Sequence, residues 1–214
     1  MTTFEIAIQL GAILAVAGLY MKRFLTDWET DKRVIVAFIP TAIIGFVLFK
    51  VIKGFFSDYT LVLWALALGG LALIAFEKWH KEEDFHTEDT HAITYKQAFL
   101  IGCAQSIAVI PGVSRAGATI VGGMLLGIKR RAIVEFSFLL AVPTMLAATG
   151  YDLYKDHAGI SSGGFGLLAV GFVVALITAY FGVRFFLNYI KKHSFTAFGI
   201  YRIALAVVLI WFFA

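Results

Sequence analysis

Two apolar runs, Gln97–Ile110 and Ala116–Ile128, are 14 and 13 residues long, whereas a bilayer core of about 30 Å needs roughly 20 helical residues. The stretch that joins and opens the second of them is Pro111-Gly112-Val113-Ser114-Arg115-Ala116-Gly117-Ala118-Thr119. It places an arginine, two hydroxyls and two glycines in surroundings that are otherwise hydrocarbon. A guanidinium at such depth is costly unless it meets an anion or lines a wet cavity. The pattern predicts a re-entrant helical hairpin whose tip binds phosphate.

The rest of the chain makes a membrane the expected setting. Of its 214 residues, 60% are apolar and only 15% charged, and the mean hydropathy is +0.87. A solvated surface on a chain this long needs more charge than that. The net charge of +4 does not imply nucleic acid, because basic residues of membrane proteins collect in cytoplasmic loops. Met1–Glu5 lacks the positive start of a cleavable signal peptide. Cys103, the single cysteine, rules out a disulfide framework and reads as a small buried hydrophobe.

Longer apolar runs occupy Phe4–Tyr20, Val34–Phe49, Thr60–Phe76, Ala132–Thr149, Phe165–Val183 and Phe198–Phe213, six expected spanning helices. Pro40 and Pro143 fall inside spans, where kinks are expected. The expected fold is all-α: one polytopic domain, 1–214, with three spans in 1–76, a polar loop in 77–96 and a second unit, 97–214, carrying the hairpin 97–128. Loop charge supports the hairpin. If it turns back, twelve basic residues (Lys22, Arg23, Lys32, Arg33, Lys78, Lys81, Lys96, Lys129, Arg130, Arg131, Lys191 and Lys192) share one face and three (Lys50, Lys53 and Lys155) the other. A single net crossing gives eight against seven. The first arrangement obeys the positive-inside rule, so the hairpin enters from the cytoplasmic face and both termini lie outside.

A faint repeat at an offset of 137 lays Ile44–Leu68 on Phe181–Leu205, matching Gly45 to Gly182, Phe49 to Phe186 and Ser57 to Ser194. A unit with an odd number of crossings pairs with an inverted copy, an arrangement that brings broken helices to the midplane. The polar loop holds His80, His86 and His91 among Glu82, Glu83, Asp84, Glu88 and Asp89. Their spacing fits no helix face, and a solvated loop is the expected reading; His157 and His193 also have no evident chemistry.

At the tip, Pro111-Gly112 ends the first half-helix, because proline disfavours α conformation in the residue before it. Ser114 is a natural N-cap for the second, leaving amide donors and a positive dipole end for an anion. Arg115 adds a fork that grips two phosphate oxygens. Ser114 and Thr119 add hydroxyls, Gly112 and Gly117 permit close approach of a ligand, and Gly123-x-x-x-Gly127 suits helix contact. The competing arrangement pairs Arg115 with an acid, and Glu135 is the nearest within a span.

These residues resemble the bacterial undecaprenyl-diphosphatase family of the bacitracin-resistance type. The likeness rests on Gln97–Gln105, on Pro111-Gly112-Val113-Ser114-Arg115 with Gly117-Ala118-Thr119, on Glu135–Pro143 and on Ile8–Val16. It covers essentially the whole chain. The resemblance implies hydrolysis of undecaprenyl diphosphate to undecaprenyl phosphate and phosphate, which recycles the lipid carrier of peptidoglycan synthesis and confers bacitracin resistance. It implies a multi-pass protein of the bacterial inner membrane with two re-entrant hairpins in an inverted repeat. Arg115 would hold the diphosphate, Ser114 and Thr119 would donate to its oxygens, and Gly112, Gly117 and Gln105 would complete the substrate contacts. Mg²⁺ or Ca²⁺ is the implied cofactor, bound by paired glutamates of an N-terminal segment that also carries a Ser-Ser-x-Gly-His stretch. Nothing in this sequence matches that segment, so the chain itself offers no metal ligands, and it is expected to bind a lipid phosphate weakly and turn it over little. Ala116 stands where the family usually has serine. The expected partners are a polyprenyl diphosphate and the bilayer, with a homodimer open to the chain. A lipid-phosphate transporter or flippase with a midplane anion site is the alternative, and a structural membrane subunit with Arg115 paired internally is a third.

Overall fold

The computed structural model describes residues 3–48, 54, 59–80, 87, 89–155, 165–190 and 193–213. These form α1 (Thr3–Thr26), α2 (Trp28–Val47), α3 (Tyr59–Trp79), α4 (Tyr95–Ser106), α5 (Arg115–Leu125), α6 (Arg130–Lys155), α7 (Phe165–Ile190) and α8 (Thr196–Phe213), with 3₁₀ turns at Thr90–Ala92 and Ile107–Val109. Among the described residues the one β pairing is an isolated bridge between Thr87 and Ile128. Helices α1, α3, α6 and α7 are long and apolar enough to cross a membrane. Helix α2 is 20 residues long but opens with Glu29 and Asp31, and the apolar part of α8 is shorter. Most helices outrun the apolar runs in the sequence because their polar end turns continue past the hydrocarbon stretch. Pro40 and Pro143 sit inside continuous helices.

The two short helices form a hairpin. Thr94 caps α4, accepting from the Gln97 amide at 3.2 Å while Gln97 Oε1 accepts from the Thr94 amide at 2.9 Å. Gln97 Nε2 then donates to Leu126 O at 3.0 Å, joining the start of α4 to the end of α5. Gly127, at φ 76°, turns the chain out of α5, and Thr87 pairs with the turn through Gly127 O and the Lys129 amide. Gly127 thus ends the helix rather than lining a helix contact; Gly123 does pack against Ile133 of α6.

The outer ends of the hairpin lie where a polar network binds the helices together. Arg23, at the end of α1, reaches Glu135 of α6 and the Thr90 hydroxyl, with Asp89 and Asp27 each at 3.5 Å. Arg33 of α2 donates to Ile93 O beside the hairpin entry. Arg130 of α6 pairs with Glu77 of α3 at 3.0 Å, and Glu77 accepts from the Phe195 amide at 3.0 Å. Burial would raise the Asp27 carboxyl's pKa, but hydrogen bonding from Thr30 and the nearby His91 and Arg23 outweigh it and hold the group below its ordinary value. His91 Nδ1 lies 3.1 Å from Asp27, and His80 stacks on Phe76; His86, His157 and the acidic run 82–84 lie outside the described residues.

The buried core surrounds the hairpin: Ala98 and Ile101 of α4, Ile120 and Met124 of α5, and Ile133, Phe136 and Leu140 of α6. Helices α3, α7 and α8 instead expose large apolar side chains such as Leu68, Val174 and Val207. In hydrocarbon that exposure carries no hydrophobic cost. Cys103 belongs with them: it is exposed on α4, not buried, since its helix presents that side outward.

Helix α4 meets α2 at Gly102, where an added Cβ would collide with Ala37 O. Backbone cannot yield as a side-chain tip can, so Gly102→Val forces the helices apart at about 1–3 kcal/mol. Its melting temperature in detergent should fall clearly below that of the parent, whereas Gly182→Ala, with open space around it, should match the parent. Equal melting of all three proteins contradicts this packing.

Candidate active site

The tip of the hairpin is organised by three devices. The chain leaves the 3₁₀ turn, makes a Pro111-Gly112 turn and enters α5 through Ser114, whose Oγ accepts from the Gly117 amide at 3.0 Å. Ser114 O takes the Ala118 amide, which leaves the amides of Arg115 and Ala116 as the unspent donors of the first turn. Gly112 has φ 88°, and a Cβ there would collide with Val62 O of α3. The third device is Arg202 of α8, whose Nη2 donates to Gly112 O at 2.8 Å and to Ala65 O at 3.4 Å.

Arg115 projects into a cavity of about 500 Å³ between α2, α4 and α6. Its Nη1 is buried and has no hydrogen-bond partner among the described residues. Glu135, the acid that internal pairing required, is committed to Arg23 instead. Leaving a charged donor unpaired in such a place costs on the order of several kcal/mol. The cavity also receives Gln105, only 1% exposed. Thr41 Oγ1 donates to Gly102 O at 3.2 Å, and Thr144 Oγ1 donates to Leu140 O at 2.7 Å. Both hydroxyl hydrogens are thereby spent, so toward Gln105 the threonines can only accept. Gln105 Nε2 meets them at 3.0 and 3.2 Å, and Oε1 is left buried without a donor. Two residues of one cavity wall therefore carry a cationic donor and a neutral acceptor without partners among the described residues.

The remaining wall is apolar, including Phe38, Phe46, Val109 and Ala148. On α6 the lining runs from Thr144 to Tyr151. Tyr151 stands about 30 Å along the helix from Arg130 at a rise of about 1.5 Å per residue. The cavity thus extends toward the end of the bundle away from the polar network.

Of the expected site residues, the structure brings Arg115 and Gln105 to the cavity. Ser114 stands beside Arg115 as the cap of α5. Thr119 is fully buried, and its hydroxyl donates to Arg115 O, so its expected role as a donor to substrate is taken up by the helix backbone. Gly112 serves the close approach of the tip to α3, and Gly117 sits under the Ser114 cap; neither lines the cavity. Arg202 escaped the reading of the sequence, although a lone arginine within Phe198–Phe213 carried the same signal as Arg115. Mg²⁺ or Ca²⁺ favours several oxygen ligands with carboxylates among them. The cavity wall offers none, and the described residues contain no group of three or more His, Cys, Asp or Glu side chains placed to hold a metal. The described residues therefore do not fit the implied cation.

Comparison with known proteins finds relatives over nearly the whole chain. A family model described as bacitracin resistance protein BacA matches residues 1–208. An undecaprenyl-diphosphatase of Sulfurihydrogenibium sp. is 51% identical over 205 residues, 96% of this chain and 81% of that protein. One from Aquifex aeolicus is 50% identical, covering 99% of this chain and 82% of its own length. One from Methanococcus aeolicus is 44% identical, covering 99% and 83%. The chain belongs to the bacitracin resistance protein family.

Two substitutions separate holding the tip from touching a ligand. Arg202→Met removes charge-assisted bonds of about 1.5–3 kcal/mol, so amide exchange at Gly112 and Val113 should quicken. Thr119→Val should lower stability while changing affinity for a prenyl diphosphate by less than about threefold, because its hydroxyl is spent internally. Unchanged exchange in the first variant, or a large affinity loss in the second at unchanged melting temperature, contradicts the assignment.

Proposed function

We propose, from membership of this family and from the unpaired guanidinium of Arg115, that the chain is an undecaprenyl-diphosphate phosphatase of the membrane. Its cavity takes the diphosphate at the hairpin tip and the prenyl chain along the apolar wall. In the reaction a water oxygen bonds to the terminal phosphorus, the anhydride P–O bond breaks, and undecaprenyl phosphate and inorganic phosphate leave. Phosphoryl transfer is governed chiefly by positioning and charge neutralisation. Arg115 and the free amides of Arg115 and Ala116 supply both on one side of the phosphate. The Ser114 oxygen accepts from Gly117, which keeps its hydrogen for a phosphate oxygen. A nucleophilic Ser114 would need an adjacent base, and no described histidine or carboxylate lines the cavity. Gln105 Oε1, an acceptor without a donor, can take a hydrogen bond from a protonated phosphate oxygen or from the attacking water.

The membrane arrangement that accompanies this reading has six crossings, with α2 and α8 added to the four longer helices, and a re-entrant α4–α5 hairpin. The polar network supports it, because both ends of the hairpin meet the end of α3 and the start of α6 there. With the basic end cytoplasmic, the cavity opens outward. An inverted repeat fits as well. The offset of 137 carries Trp28 onto Phe165 and Tyr59 onto Thr196, the first residues of α2 and α7 and of α3 and α8. Ala65 and Arg202, equivalent under that offset, meet across the interface. A transporter could use the same symmetry, so the test must register bond cleavage as well as binding.

The experiment uses the full chain in detergent, with and without Mg²⁺ or Ca²⁺. It follows phosphate release from undecaprenyl diphosphate and binding of a non-hydrolysable C15 diphosphate analogue. Arg115→Ala should weaken binding and lower whatever kcat/KM the parent shows by roughly 10²–10³, the usual effect of losing one anion donor. Unchanged binding and release in that variant would overturn the site. Lipid moved between leaflets with no phosphate released would favour transport.

A further inference from the structure

A second polar cavity lies at the other end of the bundle from the mouth of the first. It encloses about 300 Å³ between the end of α1, the start of α6 and the end of α7. Two arginines reach it from different helices, Arg131 of α6 and Arg184 of α7. Neither forms an ion pair among the described residues. Arg184 is held by a neutral group: its Nη1 donates to Tyr180 Oη at 3.1 Å, and its guanidinium lies 5.6 Å from the centre of that ring. The one acid in the wall, Glu135, is paired with Arg23. The wall therefore sets two arginines against a single carboxylate that already pairs with a third arginine, and its net character is positive.

Its depth matters as much as its charge. Arg184 directly follows the apolar run Phe165–Val183, and Arg131 directly precedes the run Ala132–Thr149. Both therefore stand at the edge of the apolar stretch of their helices, on the basic end of the bundle. At that edge of a bilayer lie phospholipid phosphates and glycerol backbones. Phe181 and Phe185, next to Arg184 on α7, are exposed toward the lipid, while Leu187 and Ile190 complete an apolar wall. A soluble anion would gain nothing from those side chains. A lipid phosphodiester uses both the arginines and the wall.

We infer that this notch binds the headgroup phosphate of an anionic glycerophospholipid, held by Arg131 and Arg184 on the basic face of the bundle. The site is separate from the Arg115 cavity and does not depend on the reaction assigned there.

The test is native mass spectrometry of the full chain released from nanodiscs containing equal amounts of phosphatidylglycerol and phosphatidylcholine. The parent should retain phosphatidylglycerol at least fivefold over phosphatidylcholine. R131Q/R184Q should lose that preference, while each single variant, if the pair destabilises the fold, should lose part of it at an unchanged melting temperature. Equal retention of the two lipids by the parent, or an undiminished preference in all variants, overturns the proposal. Displacement of bound phosphatidylglycerol by millimolar inorganic phosphate also overturns it, since that would make the site one for free phosphate. Binding of the C15 diphosphate analogue, measured on the same samples, should be unchanged in R131Q/R184Q, so failure here is distinguishable from failure of the Arg115 site.

Discussion

A guanidinium inside an apolar bundle, with no acid to meet it, is the constraint from which most of this structure follows. Arg115 cannot be neutral under ordinary conditions, so its unpaired Nη1 carries a cost that a bound anion would relieve. Pairing with Glu135 would have removed that cost, but Arg23 holds Glu135 at the polar end of the bundle. The fold thus keeps its cations apart by purpose. Arg23, Arg33 and Arg130 knit helix ends together, whereas Arg115 waits in a cavity.

Holding a broken helix inside an apolar bundle requires each freed backbone group to find a partner. The Thr94–Gln97 box starts α4, the left-handed Gly127 closes α5, and Ser114 caps its first turn. At the bend, the Gly112 carbonyl is satisfied from another helix altogether, by Arg202. That bond ties the tip to α8 and, through Ala65, to α3. The tip is consequently fixed by the bundle and not by its own loop, as the proposed phosphate site requires.

Much of this was legible in the chain. Run lengths around Arg115 indicated a hairpin because a helix of eleven or twelve residues cannot span. Ser114 could be recognised as a cap from its place before a periodic apolar run. Four features were not fully legible, each for a physical reason. Thr119 carries a hydroxyl that suits a ligand, yet at the fourth residue after Arg115 the helix carbonyl captures it. Cys103 reads as core by composition, but in a membrane chain apolar character does not separate inward from outward faces. Gln105 was expected among the substrate contacts, but only Thr41 and Thr144, brought from α2 and α6, fix which end of its amide is left without a partner. Arg202 was visible as an intramembrane charge, but its acceptor is 90 residues away and no local pattern points to it.

The most direct test of the central claim is a distance. Solid-state NMR of the chain in lipid, with ¹⁵N-labelled arginine and a ³¹P-containing C15 diphosphate analogue, measures dipolar dephasing between phosphorus and guanidinium nitrogen. Charge-assisted N–H···O contacts place phosphorus about 4 Å from the nitrogen, so the parent should show strong dephasing that Arg115→Lys removes. Dephasing that survives in that variant, or none in the parent with analogue bound, would contradict a diphosphate held by Arg115.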